Sequence, residues 1–312
     1  MKTAFVFPGQ GSQSPGMQAE FAEASPLVRD TYEEAGEAVG RDLWTLSREG
    51  SAEELALTEN TQPLMLAAGI AAWRVWRDQG GAEPAWLAGH SLGEYTALVA
   101  AGALAFPDAV RLVAERARFM QEAVAEDAGA MAAVLGLDDE TVRAACAGAA
   151  GSGVVEAVNY NAPGQVVIAG DKAAVERAVE AAKEHGARRA MLLPVSVPSH
   201  CRLMQPAAER LRGALADVTI GRPGIAVVNN VDVAAESDPA AIADALVRQL
   251  YGPVRWVETV RFFAAAGADR VIECGPGKVL AGLGRRIDRS LPHAALDTPA
   301  ALEALLEDND EE

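Results

Sequence analysis

Residues Trp86-Leu87-Ala88-Gly89-His90-Ser91-Leu92-Gly93-Glu94-Tyr95 constrain this chain more than any other stretch. They read as a short apolar strand, a sharp turn carrying a serine, and a helix that begins near Leu92. Gly89 and Gly93 flank Ser91 in the Gly-x-Ser-x-Gly pattern of a nucleophile elbow. Glycines suit such a turn because it is strained and neighbouring backbone passes too close for a Cβ. The turn lifts the hydroxyl to the end of a sheet. It also aims the first free N–H groups of the helix at any negative charge forming beside it. A chance serine in a strand-helix turn would carry the same five residues. The strand before it and the helix after it favour the functional reading.

Around that turn the chain predicts an α/β fold. Thr3–Phe7 reads as a strand, followed by the Gly-rich loop Pro8-Gly9-Gln10-Gly11-Ser12-Gln13. The loop matches neither phosphate-binding glycine pattern. Its other use is to bring a side-chain amide, Gln10 or Gln13, to a reacting centre at a strand end. Helices with irregular breaks are predicted from Met17 to about Leu57, and Gln62-Pro63 opens an apolar core helix to about Arg77. From Ala128 onward the order is strand, helix, two strands, helix, strand. That is the βαββαβ pattern of a ferredoxin-like unit, here inserted between two parts of a larger, mostly parallel sheet with helices on both faces. The predicted division is 1–127 with 198–312 as a hydrolase-like domain, and 128–197 as the small domain. The last third adds a strand at Ile225–Asn229, a helix from Asp238 to Leu250, and a strand at Arg270–Cys274 before the turn Gly275-Pro276-Gly277.

Composition narrows the function. Half of the 312 residues are apolar, enough for a full core. The net charge is −17, which argues against a nucleic-acid or anionic-membrane surface. No apolar run approaches the roughly 18 residues of a membrane span and no leader is evident, so a soluble cytoplasmic protein is expected. Cys146, Cys201 and Cys274 are widely spaced, with neither a disulfide framework nor a metal-binding pattern. The tail Glu307-Asp308-Asn309-Asp310-Glu311-Glu312 reads as a solvated, disordered end.

Two further residues stand out. In the helix predicted from Pro107 to Glu126, Arg111, Glu115, Arg118 and Glu122 form a solvated stripe. Arg116 falls in the opposite, apolar stripe, within about 60° of Leu112, Val113 and Met120. It is either a structural cation paired with a carboxylate or a guanidinium fork awaiting a ligand carboxylate. The second is His200. Pro194-Val195-Ser196-Val197-Pro198-Ser199-His200-Cys201 is held extended by its prolines, at the return from the small domain where a cleft would lie. Of the other histidines, His90 points to the far side of the elbow, His185 ends an exposed helix and His293 lies in a late loop. Elimination leaves His200 as the base for Ser91, oriented by a backbone carbonyl or an amide because no carboxylate stands out. A serine esterase would instead use a late histidine, His293.

These segments together resemble the malonyl-CoA:acyl carrier protein transacylases and the related acyltransferase domains of polyketide synthases. The resemblance rests on Phe7-Pro8-Gly9-Gln10-Gly11-Ser12-Gln13, Gly89-His90-Ser91-Leu92-Gly93-Glu94-Tyr95 and Arg116 with Phe119-Met120-Gln121. It continues through Asn159-Tyr160-Asn161-Ala162-Pro163-Gly164-Gln165, Val197-Pro198-Ser199-His200, and Gln249-Leu250-Tyr251 with Pro253-Val254-Arg255-Trp256. Six segments in the family's order span nearly the whole chain. The resemblance implies Ser91 as nucleophile and His200 as base, with an oxyanion hole from the Leu92 N–H and the Gln10 region. It implies Arg116 as the ligand for a malonyl carboxylate and Gln249 as a support for His200. It also implies malonyl-CoA as substrate, acyl carrier protein as partner, no bound cofactor or metal, and a monomer supplying fatty-acid synthesis. Leu92 and Val197-Pro198-Ser199 resemble members that take malonyl rather than methylmalonyl. An acidic carrier protein would need a local basic patch on so acidic a chain. Arg188 with Arg189, and Arg285 with Arg286 near Arg289, are the candidates, with ordinary surface charge as the alternative.

Overall fold

Thr3-Ala4-Phe5-Val6-Phe7 has no polar face because both faces of its strand are covered. A computed structural model describes residues 1–125, 127–195 and 197–310. The strands among them are Thr3–Phe7 (β1), Trp86–Gly89 (β2), Gly129–Leu135 (β3), Val155–Ala162 (β4), Gln165–Asp171 (β5), Arg189–Leu192 (β6), Ala226–Val228 (β7), Arg270–Cys274 (β8) and His293–Leu296 (β9). Phe5 and Phe7 project from β1 onto the rings of Trp73 and Trp76 in helix Thr58–Asp78. Ala4 and Val6 project from its other face into a cluster with Val260, Phe263 and Leu280. The strand therefore obeys the period-2 rule with both faces buried.

β1 is the middle of a parallel five-stranded sheet in the order β7-β2-β1-β8-β9. The elbow follows β2, the Pro8–Gly11 loop follows β1, and Asn229-Asn230 follows β7. All three therefore meet at the carboxyl ends of adjacent strands, where open α/β sheets build their sites.

The second sheet is antiparallel in the order β4-β5-β3-β6, the ferredoxin-like arrangement expected. One face packs Ala132, Val134, Val166 and Ile168 against Val142, Cys146, Val175 and Val179 of its two helices. The other face, with Met131, Val158, Val167 and Ala169, packs on Cys201, the neighbour of His200. Strand β4 also bonds to the large part of the chain: the Tyr160 N–H donates to the Val254 carbonyl (3.0 Å), and the Val254 N–H to the Val158 carbonyl (2.8 Å).

Three local expectations are corrected. Helix Thr58–Asp78 begins a turn before Gln62, so Pro63 lies inside it. A proline there cannot bond the carbonyl one turn back. That carbonyl, of Glu59, accepts instead from the Arg41 guanidinium (3.3 Å). His293 is not in a loop but opens β9, an edge strand whose His-Ala-Ala-Leu sequence carries little β signal. The acidic end is helical over Pro299–Asp310, because Leu302 and Leu305 are buried one turn apart and Thr298 caps the start. Glu126, Ser196, Glu311 and Glu312, assigned above to a helix end, a loop and the tail, lie outside the described residues. No helix among the described residues is long and apolar enough to cross a membrane. The three cysteines are buried free thiols.

Candidate active site

The elbow glycines are needed for space. A Cβ on Gly89 would lie 1.8 Å from the Gly93 carbonyl carbon, and one on Gly93 would lie 2.1 Å from the Phe7 carbonyl oxygen. Ser91 itself sits at φ 53°, a left-handed conformation that costs a serine energy and persists only where the surroundings impose it. Asn230 imposes it. Its Oδ1 accepts from the Ser91 N–H at 2.8 Å and its Nδ2 donates to the Gly89 carbonyl at 2.7 Å, so it clasps the turn on both sides of His90.

His200 reaches Ser91 across the two sheets: Ser91 Oγ and His200 Nε2 are 2.8 Å apart. Like the serine, His200 has a positive φ, 68°, and its N–H is pinned to the Leu250 carbonyl. Its Nδ1 bonds the Gln249 backbone carbonyl at 2.7 Å. A carbonyl only accepts, so Nδ1 carries the proton and Nε2 is left as the acceptor for the serine O–H. Burial, reinforced by the nearby Arg116 cation, holds the imidazole down at about 3, so the ring is neutral near pH 7.

Arg116 lies on the buried face of helix Phe106–Glu122 and is 1 % exposed. Its Nη1 donates to Gln62 Oε1 (2.8 Å), and its Nη2 to Gln249 Oε1 (3.1 Å) and to Ser91 Oγ (3.2 Å). Tyr95 lies beneath the guanidinium, 5.5 Å from ring centre to Cζ. Its hydrogen-bond acceptors among the described residues are neutral, and Nε has none. The Gln249 amide Nε2 donates to the Ser91 carbonyl (3.0 Å) and to Glu94 Oε2 (2.8 Å). Burial raises the Glu94 carboxyl to about 7.

The structure brings Ser91, His200, Arg116 and Gln249 together, and the Leu92 N–H opens the elbow helix beside them. Gln249 meets His200 through its backbone carbonyl, whereas its side chain faces Arg116, Ser91 and Glu94. The side-chain amides of the first loop do not reach the centre. Exposed Gln10 donates to the Ala56 carbonyl at 3.3 Å, and Gln13 accepts from the Gly11 N–H at 2.7 Å. What the loop brings to the elbow is its backbone: a Cβ on Gly9 would lie 2.4 Å from the His90 carbonyl oxygen. His90 turns away as expected, bonding Asn161 Oδ1 at 2.8 Å. His293 is three strands across the sheet from β2, roughly 14 Å at the usual strand spacing, and cannot serve Ser91. Arg188, Arg189, Arg285 and Arg286 are exposed and remote from this cluster in hydrogen bonding. Arg285 donates to the His293 carbonyl and Arg286 to Gln165.

Sequence reasoning missed Gln62, Asn230 and the part played by Glu94. The place of Asn230, directly after a parallel strand, was the one usable signal. Among the described residues no three metal-ligating side chains gather.

Residues 4–298 match the acyl transferase domain family. The malonyl CoA-acyl carrier protein transacylase of Salmonella typhimurium is 59% identical over 303 residues, 97% of this chain and 98% of that protein. The Bacillus subtilis protein of the same name is 45% identical, with 99% of both chains covered. Among solved structures, an acyl-carrier-protein S-malonyltransferase from Burkholderia pseudomallei superposes with a TM-score of 0.96 at 61% identity, over 98% of this chain and 100% of the other. A malonyl-transacylase in complex with its type II PKS acyl-carrier protein superposes at 0.98 with 53% identity, over 99% and 100%. With a nucleophile elbow on a parallel sheet, a ferredoxin-like insertion and likeness along almost its entire length, the chain belongs to the acyl transferase domain family.

Proposed function

We propose that this chain moves a malonyl group from malonyl-CoA to the phosphopantetheine thiol of acyl carrier protein, by way of a malonyl ester on Ser91, to supply fatty-acid synthesis. The observation that carries the reading is the Arg116 fork, buried, with no carboxylate bonded to it among the described residues, and 3.2 Å from the serine oxygen. A buried guanidinium held by neutral amides is a receptor for an incoming carboxylate.

His200 Nε2 takes the Ser91 proton as Oγ attacks the thioester carbonyl. The oxyanion is received by the Leu92 N–H and a backbone donor of the Gln10 loop, at the positive end of the elbow helix. Collapse expels the coenzyme A thiolate, which takes the proton from His200. In the second half the carrier thiol gives its proton to His200 and attacks the ester, and Ser91 leaves as the alkoxide and takes that proton back. Arg116 holds the malonyl carboxylate through both halves. An acetyl group would leave the fork unpaired, which favours dicarboxylic acyl groups. No step calls for a metal or resident cofactor. The proposal includes a monomeric cytoplasmic enzyme divided into residues 1–127 with 198–312 and residues 128–197. Carrier protein would dock at Arg188 with Arg189 or at Arg285 with Arg286.

Intact-protein mass measurement after mixing with malonyl-CoA or acetyl-CoA tests the reading. A malonyl adduct on Ser91, with little acetyl adduct, is expected; no malonyl adduct refutes it. Changing Arg188 and Arg189 to Glu should slow transfer to carrier protein and leave acylation by malonyl-CoA unchanged.

A further inference from the structure

Among the described residues, Glu94 is the one buried acid in contact with this machinery that the steps above leave unused. It is 2 % exposed, in the first turn of helix Gly93–Ala100. An acid there ordinarily serves its own helix by facing the first free N–H groups. Glu94 instead reaches out of its helix. Its Oε2 accepts from Gln249 Nε2 at 2.8 Å and from the Asn230 backbone N–H at 2.9 Å, groups 155 and 136 residues away in sequence.

Both partners hold reacting groups. The Gln249 NH₂ donates to Glu94 and to the Ser91 carbonyl, and its oxygen accepts from Arg116 Nη2. Rotated by half a turn, it would set oxygen against the carboxylate and NH₂ against the guanidinium. The carboxylate thus fixes which end faces Arg116. The Gln249 backbone carbonyl receives the His200 Nδ1 proton. Asn230, anchored by its own N–H, clasps the strained elbow at Ser91 N and Gly89 O. Resting on the transacylase reading, we propose that Glu94 is a positioning residue. Its Oε2 sets Gln249 and Asn230, and through them the imidazole, the guanidinium and the serine turn. Glu94 touches neither the serine hydroxyl nor the imidazole. Its other charged or titratable neighbours are Arg116 across the site, Tyr95 next to it on the same helix, and Asp232 beyond Asn230.

The test compares the wild-type chain with Glu94→Gln, Glu94→Asp and Glu94→Ala. Glu94→Gln keeps an oxygen able to accept both bonds. Glu94→Asp withdraws it by roughly 1.5 Å, and Glu94→Ala removes it. Two rates are read for each: labelling of Ser91 by phenylmethylsulfonyl fluoride, which needs no acyl substrate, and malonylation at saturating malonyl-CoA. Losing two buried bonds to one carboxylate should slow both rates about tenfold to a hundredfold in the Asp and Ala variants, with KM little changed. Glu94→Gln should stay within about threefold of wild type, since its oxygen preserves both bonds. Wild-type rates in a folded Asp or Ala variant overturn the proposal, as does a Gln variant as slow as the other two. If wild type is labelled but never malonylated, the transacylase reading fails, and the labelling series still decides the role of Glu94.

Discussion

Replacing Arg116 by alanine should separate malonyl from acetyl chemistry. In the free protein the guanidinium spends Nη1 on Gln62 and Nη2 on Gln249 and the serine oxygen, all neutral acceptors. A malonyl carboxylate would replace or share these with two charge-assisted bonds to a guanidinium that is itself buried. Each such bond contributes about 1.5–3 kcal/mol, so the pair contributes about 3–6 kcal/mol. Arg116→Ala should therefore lower kcat/KM for Ser91 malonylation by roughly a hundredfold to ten-thousandfold. Acetylation never uses the fork, and it should hold steady or rise once the unpaired cation is gone. Rapid mixing with each thioester, followed by intact-protein mass measurement, gives both rates. Equal loss for the two acyl groups would refute the reasoning, because Arg116 would then act on the Ser91–His200 pair and not on the acyl carboxylate.

His200→Ala should abolish acylation of Ser91, whereas His293→Ala should leave it unchanged, as read in the same assay. Gly89→Ala should cost about 3 kcal/mol or more, or prevent folding, since its Cβ would overlap Gly93. Gly213→Ala, in a helix with open space around it, should gain about 0.5–1 kcal/mol, and urea melts compare the two. Stability should also depend on pH through two opposing sets of groups. His200, held at about 3, and His293, at about 4, resist the protonation that the unfolded chain accepts near 6.5, so they lose stability as pH falls from there. Burial raises Glu94 and Glu273 to about 7 against 4.5 unfolded, so their contribution is lost as pH rises through that window. Both histidines are common to wild type and Glu94→Gln, so their contribution cancels in the comparison. The Tm of wild type relative to Glu94→Gln should therefore fall as pH rises from about 5 to 7.5, and an unchanging difference would refute the assignment.

The parts of this site that announce themselves in sequence are those with a local pattern. Ser91 is framed by glycines, Arg116 breaks an apolar helical stripe, and His200 stands after two prolines. Both sheets were legible for the same reason, since strand and helix periods alternate cleanly along the chain. Gln62, Asn230 and Glu94 had no such frame. Each acquires its meaning from a distant partner, Gln62 from Arg116, 54 residues on, and Asn230 from Ser91, 139 residues back, and no local window along the chain contains both. The edge strand at His293 was hidden by its alanines, and the final helix by the acidic residues around Leu302 and Leu305. The Gln10 side chain turns to the Ala56 carbonyl because a loop's place at a strand end does not fix where its side chains point.

Two layers meet at the base: Gln249 and Leu250 hold the ring and the N–H of His200, while the small sheet seats its neighbour Cys201. Breathing between those layers would unseat Cys201 and loosen the imidazole beside it before either core melts. On warming, transfer should therefore fail reversibly several degrees below the calorimetric transition.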